Sequence, residues 1–216
     1  MDTYQTLADP SYGEFKDRGS KFQAYAFPFD DENELAEHLK EIKKLHPKAR
    51  HHCYAYRIGM DKTVYRANDD GEPSGTAGKP ILGQLDSFEV TNTLIIVIRY
   101  FGGTLLGASG LINAYRNAAA EALKEADIIE KTIKDIYRLT FDYALMSDVM
   151  NSLKKLNFEI LKQDFTDIGN IDIAINQSEV TNSLLKLKAR IGKLHLEEVE
   201  ETTRISGLEI NYLSTR

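Results

Sequence analysis

The stretch TLIIVIRYFGGTLLGASG, residues 93–110, organises the first half of the chain. Residues 93–101 are almost continuously apolar, which is typical of a central strand buried on both faces. Gly102 and Gly103 break this strand, and the periodic apolar residues that follow predict a helix over about residues 108–126. The segment therefore predicts a strand, a glycine-rich turn and a helix in succession.

This turn has the features of an anion site. A glycine-rich turn at a helix start presents backbone N–H groups and the positive end of the helix dipole, which together suit a phosphate group. Arg99 adds a positive charge, and Tyr100 or Phe101 can stack on a base. The turn is neither a P-loop nor the GxGxxG fingerprint, and a plain strand-to-helix corner is the alternative. The residues predicted here to bind a ligand are Arg99, Tyr100, Gly102, Gly103, Thr104, Gly107 and Ser109.

Another glycine-rich segment, DDGEPSGTAGKP, spans residues 69–80. It begins with a predicted turn that carries three carboxylates, those of Asp69, Asp70 and Glu72. Carboxylates this close in sequence can ligate a hard cation such as Mg²⁺ or attract a cationic partner. The alternative interpretation of this segment is a solvated loop. The candidate phosphate ligands of this segment are Ser74, Thr76 and Lys79.

The run His51-His52-Cys53 invites a catalytic or metal-binding interpretation. Adjacent residues of a strand face opposite sides, so His51 can share a side with Cys53 but not with His52. Zinc needs further ligands that the sequence does not supply nearby, and Cys53 is predicted to be structural. No cofactor is predicted, although Mg²⁺ is possible on the three carboxylates. The candidate catalytic residues are His51, His52, Asp69, Asp70 and Glu72.

The composition of the chain argues against several classes of protein. The chain has 216 residues, a net charge of −6 and one cysteine, so it has no internal disulfide. The acidic balance argues against a non-specific nucleic-acid binder, without excluding a local basic patch. No apolar run has the roughly 20 residues of a membrane span, and the first residues do not resemble a signal peptide. We therefore expect a cytoplasmic protein without a membrane partner.

The remaining segments complete an α+β pattern. After a polar link over residues 129–135, the elements follow the order β-α-β-β-α-β of a ferredoxin-like domain. In the first half, strands are predicted over residues 21–29, 51–59, 64–68 and 93–101. A short helix is predicted within residues 76–88, between the last two of these strands. A further helix is predicted from a cap at Asp30 or Asp31 to residue 45. After the link, strands are predicted over residues 136–143, 158–165, 169–175 and 195–205. Helices are predicted over residues 147–157 and 178–193, and Ser147 is predicted to cap the first of them.

The motifs RHHCYAYRIG (residues 50–59), NDDGEPSGTAGKPIL (68–82) and VIRYFGGTLLGASGLINAYRNAA (97–119) resemble those of the IMPACT/YigZ family. The resemblance covers nearly the whole chain. It implies two α+β domains: residues 1–132, similar to domain 2 of ribosomal protein S5, and residues 135–216, ferredoxin-like and similar to domain V of elongation factor G. The family signature is matched by Gly83, Ile95 to Ile98, Arg99, Tyr100, Phe101, Gly102, Gly103, Leu106 and Gly107.

The resemblance also implies a theme of translation. We therefore expect a regulatory protein that binds RNA, the ribosome or a ribosome-associated protein, with Lys79, Arg99 and Arg66 contacting phosphates. Two alternatives stay open. One is a Mg²⁺-dependent enzyme that acts on a small phosphorylated or nucleotide-like substrate, and the other is a protein-interaction scaffold that docks through its second domain. Whether the protein is an enzyme, its ligand and its oligomeric state are open at this stage.

Overall fold

The computed structural model describes residues 3–60 and 62–216. The chain is an α+β protein that divides into two compact units with separate sheets, an N-terminal unit of Tyr4–Lys131 and a C-terminal unit that includes Thr132–Arg216. Asp61, which lies between the strands predicted over residues 51–59 and 64–68, is outside the described residues.

The first half of the chain carries a five-stranded antiparallel sheet in the order β2-β3-β6-β4-β5 and a two-stranded sheet of β1 and β7. The strands are β1 Thr3–Leu7, β2 Ser11–Asp17, β3 Ser20–Pro28, β4 His51–Ile58, β5 Val64–Asn68, β6 Thr93–Tyr100 and β7 Ile128–Thr132. The helices are α1 Leu35–Leu45, α2 Gly78–Ser87 and α3 Gly107–Lys124. The strand, turn and helix expected from residues 93–110 are confirmed.

The central strand β6 is buried on both faces, as its apolar run predicts. On one face Ile95 and Val97 pack into a core shared with α2 and α3. On the other face Ile96 and Ile98 pack into a second core shared with α1. Helices therefore cover both faces of the five-stranded sheet, and the glycine-rich segments lie at its end.

Three strands were absent from the prediction. β1 and β2 were not expected, and β7 occupies most of the segment that we expected to be a polar link. The sequence pattern of β2 is interrupted by Gly13, whose added Cβ would lie 2.2 Å from the Ala122 nitrogen of α3. Glycine here allows the strand and helix backbones to meet, an arrangement that residue propensity does not reveal.

The C-terminal unit has one four-stranded antiparallel sheet in the order β11-β8-β10-β9. Helices α4 and α5 contribute Val149, Leu153, Leu187 and Ile191 to its core. The elements are β8 Lys134–Phe141, α4 Met146–Lys155, β9 Glu159–Phe165, β10 Gly169–Asn176, α5 Val180–Gly192 and β11 Leu208–Thr215. Their succession is the β-α-β-β-α-β order predicted from the sequence.

Two predictions in this unit are wrong. The closing strand is β11 and not residues 195–205, which hold a 3₁₀ turn over Leu196–Glu198. The predicted segment is rich in glutamate, whereas β11 alternates apolar residues that pack against β8. Ser147 does not cap α4, because the helix begins at Met146 and has no side-chain cap.

Candidate functional site

One end of the five-stranded sheet gathers the chemistry-bearing segments. The antiparallel register places His51 opposite Arg99 and Lys21 opposite Tyr100. The start of β4, the turn between β2 and β3 and the end of β6 therefore lie together. Both glycine-rich segments reach this end: the first, residues 69–80, follows β5, and the second, residues 99–110, begins at the end of β6.

The first glycine-rich segment is shaped by the carboxylate of Asp69. This carboxylate accepts hydrogen bonds from the backbone nitrogens of Gly75, Ala77 and Gly78 at 2.8, 3.0 and 2.8 Å. Burial alone would raise the pKa of Asp69, but the three backbone donors lower it below its usual value. The N-terminus of α2 thus already holds an anion, which belongs to the protein itself.

A buried ion pair joins the two glycine-rich segments. Glu72 Oε1 accepts hydrogen bonds from Arg99 and from the Tyr115 hydroxyl, each at 2.8 Å. The side chains of Glu72 and Arg99 are only 3% and 9% exposed. Arg99 was expected to contact phosphates, but its guanidinium lies inside the protein, within 5.6 Å of the Phe22 and Phe101 ring centroids.

The two histidines lie on opposite sides of β4. His51 Nδ1 donates to the carbonyl oxygen of Asp70 at 2.8 Å, which places this histidine against the first glycine-rich segment. His52 is buried, its backbone nitrogen donates to Asp70 Oδ2 at 2.6 Å, and its Nε2 atom has no partner among the described residues. Burial lowers the pKa of His52, and the nearby charge of Lys43 lowers it further.

The three carboxylates of the first segment point to different partners. Asp69 holds backbone nitrogens, Asp70 contacts His52, and Glu72 pairs with Arg99. Within residues 3–60 and 62–216, no group of three histidine, cysteine, aspartate or glutamate residues is placed to hold a metal ion. Thr76 is also engaged, since its hydroxyl donates to the Pro73 carbonyl, while Ser74 is exposed.

Cys53 is fully buried beside Tyr115 and the carbonyl oxygen of Asp69. Burial raises the pKa of its thiol far above the usual range, and a neutral thiol is a poor nucleophile. We expect a thiol reagent such as DTNB to leave the native protein unmodified at pH 7.5 and to react within seconds after denaturation in urea. Release of the chromophore before denaturation would show that Cys53 is accessible.

The second glycine-rich segment is exposed to solvent. Phe101 and Leu105 are 59% and 82% exposed, and the glycines, Thr104 and Ser109 lie at the surface around them. In the described part of the chain, no side chain caps the N-terminus of α3. Gly102 has a packing role, because its added Cβ would lie 1.9 Å from the Gly19 carbonyl carbon. Tyr100 is half-buried, and its hydroxyl lies 2.9 Å from His46 Nδ1.

Exposed cations lie at the same end of the sheet as this loop. Gly19 contacts Gly102, which places the adjacent Arg18 beside the loop. The connection from α1 to β4 reaches the same end of the sheet, and Lys43 is close enough to His52 to affect its pKa. Among the described residues, none of the exposed cations Arg18, Lys43, Lys44, Lys48 and Arg50 forms an ion pair. We call these five cations together with residues 101–106 the sheet-end surface.

Sequence reasoning did not select the cations of the sheet-end surface. For four of the five cations the signal was the density of lysine and arginine between residues 40 and 50, in a chain whose net charge is −6. Glu14 forms ion pairs with Lys16 and Lys21 at the edge of this surface, which lowers the pKa of Glu14 to about 2. The remaining cations face solvent without such neutralisation.

The fold and the site define a two-unit α+β protein whose N-terminal unit presents an exposed glycine loop among unpaired cations. The sequence profile of the Impact N-terminal domain matches residues 18–123. The chain is 32% identical over 204 residues to the IMPACT family member YvyE of Bacillus subtilis, covering 94% of each chain. The chain belongs to the IMPACT family.

Other comparisons agree with this assignment. The IMPACT family member YigZ of Escherichia coli is 34% identical over 166 residues, which cover 76% of this chain and 81% of the relative. A crystal structure described as that of a hypothetical protein aligns with a TM-score of 0.75 at 27% identity, over 99% of this chain and 98% of that one. A structure of the two-domain translational regulator Yih1 aligns over 56% of this chain and 47% of that one with a TM-score of 0.33, too low to relate the two folds.

No helix within residues 3–60 and 62–216 combines the length and the apolar character needed to cross a membrane.

Proposed function

We propose that this protein is a regulatory RNA-binding protein of the translation apparatus, acting in the cytoplasm. The observation that carries the proposal is the sheet-end surface, where exposed cations without an ion pair among the described residues share one end of the sheet with an exposed glycine loop. Cations bind the phosphate backbone, and an exposed aromatic ring provides a stacking platform for an unpaired base. Membership of the IMPACT family supports this choice, because the resemblance to that family implies a theme of translation.

The roles of the candidate residues follow from their exposure. Phe101 is the stacking ring in this proposal, because the hydroxyl of the half-buried Tyr100 is engaged by His46. A phosphate contacts the exposed backbone of Gly103, Thr104, Gly107 and Ser109 directly. The loop requires positive φ angles of 87° at Gly103 and 70° at Gly107, which glycine adopts readily. Arg99 supports the loop from below through its ion pair with Glu72, which neutralises its charge.

The proposal includes the finer fold assignments. The sheet order β11-β8-β10-β9 places the fourth, first, third and second strands of the C-terminal unit side by side. This order supports a ferredoxin-like fold similar to domain V of elongation factor G. The five-stranded sheet with α3 after its central strand supports the relation of the N-terminal unit to domain 2 of ribosomal protein S5.

Salt dependence tests the proposal, because each phosphate contact releases counterions. We expect a single-stranded RNA oligonucleotide to bind with an affinity that falls steeply with salt. The triple substitution Arg18→Ala, Lys48→Ala, Arg50→Ala should weaken binding at least about tenfold at low salt. It should also reduce the slope of log affinity against log salt by about 2, since each single-strand contact contributes about 0.7. Fluorescence anisotropy at several salt concentrations measures both quantities.

A matched variant controls for net charge. Lys62, Lys124 and Lys131 are exposed cations outside the sheet-end surface, and Lys62 lies in the β4–β5 hairpin at the opposite end of the sheet. Replacing all three by alanine removes the same charge and should leave both the affinity and the slope nearly unchanged. Equal losses in the two triple variants, or no RNA binding by the native chain, would contradict the proposal.

A further inference from the structure

A groove between α2 and α3 lies apart from the sheet-end surface. Its volume is about 420 Å³, within the range of small-molecule sites. Lys79, Gly83 and Ser87 line it from α2, four residues apart along one face of the helix. Ile112 and Arg116 line it from α3, also four residues apart. Two neighbouring helices thus form its walls.

The groove is positively charged. Lys79 and Arg116 are exposed, and neither forms an ion pair within residues 3–60 and 62–216. Among the residues that the structure describes, no aspartate or glutamate lines the groove. Lys79 is close enough to Asp69 to help lower its pKa, but the carboxylate of Asp69 is held by backbone nitrogens. The two cations are therefore available to an external anion.

Gly83 indicates that the groove is kept open. Glycine inside a helix is destabilising relative to alanine, so its presence calls for a physical reason. For Gly78 of the same helix the reason is packing, because an added Cβ would lie 2.5 Å from the Asn68 nitrogen. At Gly83 an added Cβ would meet nothing within 4 Å, and φ is not in the left-handed region. Nothing inside the described protein requires glycine there.

We propose that this groove binds a small phosphate-bearing molecule. Its phosphate group lies between Lys79 and Arg116, where the arginine fork and the lysine ammonium supply charged donors. The rest of the molecule lies on the bare backbone at Gly83 and against Ile112. The bound molecule is a ligand additional to the RNA of the proposed function, and it occupies residues that RNA binding does not use.

Binding of inorganic pyrophosphate and of ADP to the full chain tests the proposal. We expect at least one of these probes to bind saturably in calorimetry and to raise the Tm. Replacing Lys79 and Arg116 together by alanine should weaken that binding at least about tenfold. Absence of saturable binding of either probe to the native chain at millimolar concentration would overturn the proposal.

Two variants at Gly83 separate binding from folding. Gly83→Ala should raise the Tm of the unliganded protein by about 3 °C, because helix propensity improves and no clash arises, and it should retain probe binding. Gly83→Leu should also fold at least as stably as the native chain but lose probe binding, since its side chain occupies the groove. Unchanged probe binding by Gly83→Leu would contradict the proposal.

The RNA assay distinguishes this proposal from the proposed function. Gly83→Leu should bind the single-stranded oligonucleotide as the native chain does. If it loses RNA binding while the native chain binds neither probe, the groove holds a phosphate of RNA and the small-molecule proposal fails. Loss of RNA binding in the Arg18, Lys48 and Arg50 variant with retained probe binding is the expected complementary result.

Discussion

Glu72→Ala is expected to destabilise the N-terminal unit by about 3–5 kcal/mol, because it leaves the buried charge of Arg99 without a partner. Both side chains of this ion pair are almost fully buried, so water cannot replace the lost carboxylate. The Tyr115 hydroxyl loses its acceptor in the same substitution. Urea denaturation followed by circular dichroism measures the loss, and amide hydrogen exchange in β4 and β6 assigns it to this unit.

Two companion variants test the physical cause. The double substitution Glu72→Leu, Arg99→Met removes both charges and should cost much less than the sum of the two single substitutions. Tyr115→Phe removes one hydrogen bond to the same carboxylate and should cost about 1.5–3 kcal/mol. A cost of Glu72→Ala below about 1 kcal/mol would show that the pair behaves as an exposed one.

Asp69→Ala is expected to cost about 2–4 kcal/mol, because the backbone donors of Gly75, Ala77 and Gly78 lose their acceptor together. Asp69→Asn should cost less, since the amide oxygen of asparagine still accepts hydrogen bonds. The loop of residues 69–78 should open in the alanine variant, which limited proteolysis detects. Cleavage of this loop at the native rate would contradict the role of Asp69.

The pH dependence of Asp69 has a definite sign. Its pKa is lower in the folded protein than its unperturbed value of 3.8, so the folded state favours the ionised form. The carboxylate therefore contributes its stability above about pH 4, and this contribution is lost as the pH falls through the folded-state pKa. The difference in unfolding free energy between the native chain and Asp69→Asn should accordingly be constant near neutral pH and shrink below about pH 4.

Strongly periodic segments were predictable because burial imposes their pattern directly. The run of residues 93–101 identified β6 as a strand buried on both faces, and the structure confirms it. The amphipathic stripe after Gly107 identified α3, with Leu111, Ala114 and Tyr115 in the core. The closing strand was misplaced because residues 195–205 have β-branched residues but lack the apolar alternation that pairs with β8.

The candidate site was predictable in position but not in detail. The glycine-rich segments showed where the chain turns closely, which is a local property of glycine. The direction of each side chain depends on tertiary contacts. From the sequence we interpreted Glu72 and Arg99 as exposed charges, yet they lie buried against each other. Asp69 was a candidate metal ligand, and instead its carboxylate accepts a hydrogen bond from the backbone at the start of α2.

By itself, the sequence determined the α+β class, the succession of elements in the C-terminal unit and the family, because these depend on residue type and on spacing along the chain. Only the tertiary structure decided which charges are available. Pairing of β4 with both β5 and β6 brings Glu72, which follows β5, to Arg99 on β6 and removes both from solvent, while the turns at the same sheet end leave Arg18, Lys48 and Arg50 exposed. Charges distant in sequence neutralise each other only when folding brings them within a few ångströms, and the order of residues along the chain does not give that distance.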